Sequence, residues 1–235
     1  MPRIAGKVVG WGSLALAILS GAAAPVQAQG TQAPASPSPY PTMAPIAQYQ
    51  MDRDAEIALA RTAAPASISR DAEILVLGPK NFEVAVRGRN GYVCAVGRAF
   101  GGPLSNVEFW NPKNRSPICY NPPAVRSLLP YALKQTAMAL AGASKAQITE
   151  AIRAAVARKE LGAPALGSMA YMMSKEAYLT DRGSHNLAHL MFELPPDAVI
   201  PDDPDSYVSW DPAPVIEFNV PVGHWSDGTD ALGKH

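Results

Sequence analysis

Four histidines have the widest chemical reach in this chain, and three of them, His185, His189 and His224, fall in or beside its last two extended segments; His235 closes the sequence. Imidazole is the commonest zinc ligand and titrates close to neutrality. The pattern therefore raises two chemistries. Either a divalent metal is held by His185, His189 and His224, or one imidazole carries protons with Asp181 or Asp227 as the nearby acid. Strand geometry restricts the first. Histidines four residues apart on a strand have α-carbons roughly 13 Å apart, while zinc–nitrogen bonds are about 2 Å. His185 and His189 can share an ion only if Gly183-Ser184-His185 curls back. The competing reading is ordinary histidines hydrogen-bonded at a sheet face.

Other constellations are poorer. There is no His-Glu-x-x-His, Gly-x-Ser-x-Gly, Ser-x-x-Lys, Gly-Lys-[Ser/Thr] or Gly-x-Gly-x-x-Gly, so zincin, α/β-hydrolase, penicillin-binding, P-loop and dinucleotide sites lose their usual signatures. No cofactor is called for. Asp202, Asp203, Asp205 and Asp211 lack the glycine and terminal glutamate of an EF loop and read as a solvated acidic loop. Tyr171, Met172, Met173 and Tyr178 form an apolar stripe that raises association through a surface patch, although such residues on a strand are usually core and rim.

The elements that must position these residues are legible from periodicity. Asp52 caps a helix to about Arg61 with Ile57 and Ala60 inward. Alternation then predicts strands over Glu73 to Leu77, Phe82 to Arg87 and Tyr92 to Arg98. Asn90-Gly91 reads as a two-residue hairpin turn, which would set Arg87 against Cys94 and Glu83 against Arg98 in a meander. Residues 101–123 are turn-rich and read as irregular. Two helices follow, Pro123 to Ala141 with a bend or start at Pro130 and a stop at Gly142, then one opened by a Ser144-x-x-Gln147 capping box. Ser168 to Ser174, Leu187 to Leu194 and Pro214 to Val222 read as extended, with a surface loop between Pro195 and Pro212. A register placing Leu190 near Phe218 brings His185 and His224 toward one end of the sheet, and parity puts His189 on the same side as Met191 and Glu193. With that side open to water, His189→Ala is expected to cost within about 1 kcal/mol. Strands in runs, without alternating crossover helices, predict an α+β fold: an antiparallel sheet of short strands packed against two or three helices.

The first 28 residues read as a signal peptide, with Arg3 and Lys7 before an apolar run over Val8 to Leu19 and a Val26-Gln27-Ala28 cleavage pattern. The run is too short and Gly-interrupted for a comfortable membrane span, and no later segment is apolar enough to serve. Residues 29–47 are rich in Pro, Ala and Ser and are expected to be a disordered linker. Residues 48–235 are enough for one domain. The whole chain has 20 Lys and Arg against 20 Asp and Glu, so it offers no basic field for nucleic acid. The two cysteines, Cys94 and Cys119, are expected to be disulfide-bonded in an oxidising compartment, holding down an irregular segment.

Together, Phe109-Trp110-Asn111-Pro112, Pro117-Ile118-Cys119-Tyr120-Asn121-Pro122-Pro123, Tyr171-Met172-Met173-Ser174 and His189-Leu190-Met191-Phe192 resemble a group of exported bacterial proteins with no assigned activity. The resemblance covers about residues 50–230 and implies export and a single domain, with no mechanism attached. The expectation is a periplasmic or secreted, non-enzymatic domain that binds a small molecule, a peptide or an envelope component. A hydrolase-like enzyme using His185, His189 and His224, with or without a metal, is the alternative.

Overall fold

The computed structural model describes residues 38–181, 187–199 and 207–232. Eight strands form one sheet: β1 (Glu73–Leu77), β2 (Phe82–Val86), β3 (Val93–Gly97), β4 (Ser116–Tyr120), β5 (Met169–Met172), β6 (His189–Leu194), β7 (Tyr207–Ser209) and β8 (Ile216–Pro221). Their order is β2-β1-β3-β4-β5-β6-β8-β7, and every pairing is antiparallel except β1 with β3. Helix α1 (Arg53–Arg61), followed by the short α2 (Ala66–Ser69), lies on one face. On the other lie α3 (Pro122–Ser127), α4 (Leu129–Leu140) and α5 (Lys145–Ala157). The expected α+β fold is what the chain adopts.

The meander is not. β1 is a continuous apolar run, Ile74-Leu75-Val76-Leu77, buried throughout, and such a strand needs neighbours on both edges and cover on both faces. β2 pairs on one edge, joined to β1 through a turn closed by Gly78 N–H to the Asn81 carbonyl at 2.8 Å. β3, equally apolar, takes the other edge in parallel, with Ile74 opposite Cys94. Asn90-Gly91 is therefore no hairpin turn. Gly91 has φ +78°, but the Asn90 amide donates to the Ile68 carbonyl, Arg89 pairs with Asp71 at 2.7 Å and Arg87 with Glu73 at 3.7 Å. This segment crosses the start of β1. Gly88 makes the crossing: a Cβ there would sit 2.2 Å from the Glu73 backbone nitrogen. Arg98 consequently ends nowhere near the solvent-side position opposite Glu83 that a hairpin would give it.

Local signals are otherwise well obeyed. Asp52 accepts from the Asp54 and Ala55 N–H groups, the Ser144–Gln147 capping box is complete, and Gly142 ends α4 at φ +83°. The long helix starting near Pro123 is divided at Leu128, where α3 stops and α4, with Pro130 in its first turn, begins. Two stretches expected to be irregular contain strands. β4 escapes notice because Pro117 sits inside it, yet β5 pairs only with Cys119 and Tyr120, so that ladder asks for no N–H from Pro117. β7 lies within the expected Pro195–Pro212 loop, as the edge strand against β8.

Cys94 and Cys119 are bonded, and they are directly opposite each other in the β3–β4 ladder. The disulfide thus reinforces a strand pair and does not substitute for secondary structure. Part of the expected linker is also ordered. Tyr40, Met43 and Ala44 pack on the core, the Ala44 N–H donates to the Tyr49 hydroxyl at 3.1 Å, and Ile46–Gln48 forms a 3-10 turn. Residues 1–28 lie outside the described residues, so the signal-peptide expectation is untouched here. Among the described residues no helix is long and apolar enough to cross a membrane.

Candidate functional site

Between the sheet and the α3–α4 layer lies a cavity of about 250 Å³. Alternation creates its floor: Ala95 on β3, Ile118 and Tyr120 on β4, Met172 on β5, Met191 and Glu193 on β6 and Glu217 on β8 all leave the sheet on one side, and Leu129, Ala132 and Thr136 of α4 form part of the roof. Ala95, Gly97 and Ser116, the small residues of β3 and β4 in the lining, leave space at that end. The opposite faces of β3 and β4 carry Cys94, Val96 and Cys119 against the alanines of α1, Ala60, and its exit, Ala63 and Ala64.

Into this largely apolar chamber project two carboxyls. Glu193 and Glu217 are cross-strand partners in the β6–β8 ladder, and each residue is 8% exposed. Glu217 accepts from the Trp210 indole N–H at 3.2 Å and from the Asn219 amide at 3.1 Å. The Glu193 carboxyl accepts no hydrogen bond from any described residue. Burial, and then the Glu217 charge, push Glu193 well above the usual carboxylate range; burial pushes Glu217 up against the pull of its two donors. As a pair they hold a proton to higher pH than free glutamates do. Burial and then the two carboxyls push the Tyr120 phenol above its ordinary range. On the roof, the fully buried Thr136 hydroxyl has no hydrogen-bond partner among the described residues.

The residues proposed from sequence occupy other places. His189 is half-buried on the same side as Met191 and Glu193, as parity predicted, but this is the covered side of the sheet and not an open one; its Nδ1 lies 2.7 Å from the Leu187 carbonyl. The β6–β8 register is shifted by two from expectation, with Phe192 opposite Phe218, which preserves the faces. His224 is exposed and bridges Asp230. Neither histidine lines the cavity. Asp181 accepts from the hydroxyls of Tyr40 and Tyr178 and from Lys113 at 3.1 Å, which hold its carboxyl far below the usual range. Asp227 pairs with Lys175 and accepts from Thr229, with the same effect. These acids serve separate surface networks. Asp211 pairs with Arg153 at 3.4 Å. His185, His235, Asp202, Asp203 and Asp205 lie outside the described residues, and among those described no group of three or more His, Cys, Asp or Glu could hold a metal. The apolar stripe is divided: Met172 and Met173 are buried, Tyr171 stacks near Tyr92 with centroids 6.3 Å apart, and Tyr178 alone is well exposed.

Sequence reasoning passed over the carboxyl pair because a glutamate in an alternating strand reads as the polar, outward position. One signal was present. Placing Met191 and Glu193 on one face, with Glu217 the second residue of β8, puts both acids on the same surface once the register is known.

Comparison with protein-family models, with curated proteins and with solved structures found no match.

Proposed function

We propose that this is an exported binding protein whose cavity takes one small, mostly apolar molecule. The observation that carries the reading is the cavity itself. Protein interiors are close-packed with few voids larger than a water molecule, and a dry cavity of about 150 Å³ accommodates benzene. A chamber of about 250 Å³ lined by Ala, Ile, Leu and Met side chains, with a few polar groups turned inward, has the make-up of a ligand site. The two described histidines, His189 and His224, do not line it, which favours binding over chemistry at those imidazoles. Export is supported by the Cys94–Cys119 disulfide, a bond that persists in oxidising compartments, and by the resemblance to exported bacterial proteins.

The test is binding of propylbenzene to the purified protein, followed by calorimetry or ligand-observed NMR, against an Ala132→Leu variant that fills the roof of the chamber. Saturable binding to the parent protein, lost in the variant while its thermal unfolding stays cooperative, is the expected outcome. Equal binding to both, or none to the parent protein, would overturn the assignment. The mass of the mature amino terminus in protein recovered from the periplasm or medium tests export separately.

A further inference from the structure

We propose that the molecule held in this cavity is an amine, its apolar body filling the chamber and its ammonium group seated at Glu193 and Glu217. The inference rests on the pocket reading above and adds the ligand's chemical class.

Charge bookkeeping of the lining leads to it. The charged and titratable groups around the cavity are Glu193 on β6, Glu217 on β8, Tyr120 on β4, Tyr131 on α4 and Arg98 just after β3. Arg98 is the one cation among them, and its guanidinium is committed elsewhere: Nε to the Tyr49 carbonyl at 2.7 Å, one terminal nitrogen to the Val96 carbonyl and the other to Glu56 at 3.0 Å. Two buried carboxyls therefore share an apolar chamber with no cation turned toward them among the described residues. Glu217 has its donors; Glu193 has none among the described residues. The Glu193 carboxyl opens onto the chamber, and an N–H donor with a positive charge gives it a hydrogen bond and a counter-charge in one group. A bare divalent ion answers less of this. It would leave the apolar walls unfilled, and no third carboxylate or imidazole joins the pair among the described residues.

Binding by this route moves a proton. The free pair holds its proton more tightly than ordinary carboxyls because two carboxyls in a poor dielectric resist ionising together; an arriving ammonium stabilises the carboxylate, and the proton it displaces leaves to solvent. Tyr131, whose phenol is pushed up to about 12, and Arg98, lowered to about 10, stay in one protonation state through neutral pH. Tyr120 does likewise. Only the two glutamates change.

The experiment compares 2-phenylethylamine with propylbenzene, its uncharged isostere, at about pH 5.5 and about pH 8, by calorimetry in buffers of different ionisation enthalpy. The amine is expected to bind at least about tenfold tighter than the hydrocarbon at the higher pH. Its affinity should fall several-fold at the lower pH, and proton release should accompany binding. Glu193→Gln, a change of one atom that keeps the shape, should weaken the amine about tenfold and leave propylbenzene within about threefold; the hydrocarbon also reports that the variant is folded. Propylbenzene binding with no preference for the amine overturns this inference and leaves the pocket reading standing. So does an amine affinity unchanged in both Glu193→Gln and Glu217→Gln, or displacement of the amine by low-millimolar calcium or manganese with retention of the hydrocarbon. Binding of neither compound overturns both readings.

Discussion

Arg98 reaches Glu56 at 3.0 Å with side-chain exposures of 0% and 2%, joining the strand that carries the disulfide to the helix packed over it. Glu56 also accepts from the Leu77 N–H at 3.1 Å, so one carboxylate ties α1 to the end of β1 and to the end of β3. Desolvation lowers Arg98 against the pull of Glu56. Breaking such a pair by removing one member leaves a buried charge uncompensated. Arg98→Met is expected to cost about 3 to 5 kcal/mol in urea unfolding, and adding Glu56→Leu should restore much of it. A single-variant loss under about 1 kcal/mol would mean that the pair is hydrated and not buried.

The Cys94–Cys119 bond closes a loop with a sequence separation of 25. The chain-entropy account gives about 3 kcal/mol for a loop of this order. The Cys94→Ala, Cys119→Ala double variant should lose about that much in urea and still fold, since β3 and β4 remain paired over five residues. Alkylation of two thiols in unreduced, denatured protein would contradict the bond outright.

Stability should report the carboxyl pair through its pH dependence. The folded values of Glu193 and Glu217 are raised above the ordinary 4.5, so the folded state binds protons more tightly than the unfolded chain. Their contribution is complete at low pH and is lost as pH rises through the folded values. Glu193→Gln removes the share of that loss that belongs to Glu193. The variant should therefore gain on the parent protein as pH is raised from about 5 to about 8, read as a widening gap between urea midpoints; a constant gap would place Glu193 in water.

His189 works in the opposite direction. Burial lowers its pKa from 6.5, so the neutral ring is the one the fold accommodates, and stability is lost as pH falls through the folded value. His189→Ala should cost about 1 to 2 kcal/mol above neutrality, more than an open-face position would, and should flatten the acid limb of the stability profile. An unchanged acid limb would assign that limb to other groups.

What the sequence disclosed was local. Caps at Asp52 and Ser144, the stop at Gly142 and the strands beginning at Glu73 and Phe82 follow from side-chain chemistry within a few residues. The order of strands does not. Asn90-Gly91 carries the strongest short-range turn signal in the chain, yet burying β1 on both edges outweighs it, because an unpaired apolar strand would leave backbone groups without partners. Likewise, the charge on Glu193 reads as outward until the α3–α4 layer is known to cover that face. The cysteines were paired correctly from compartment chemistry alone, while their setting in adjacent strands required the structure.

Successive side chains of β3 leave the sheet in opposite directions, so the sulfur of Cys94 lies beneath the chamber whose floor Ala95 helps to form. The crosslink therefore braces the floor from the far side of the sheet, out of reach of anything inside the chamber.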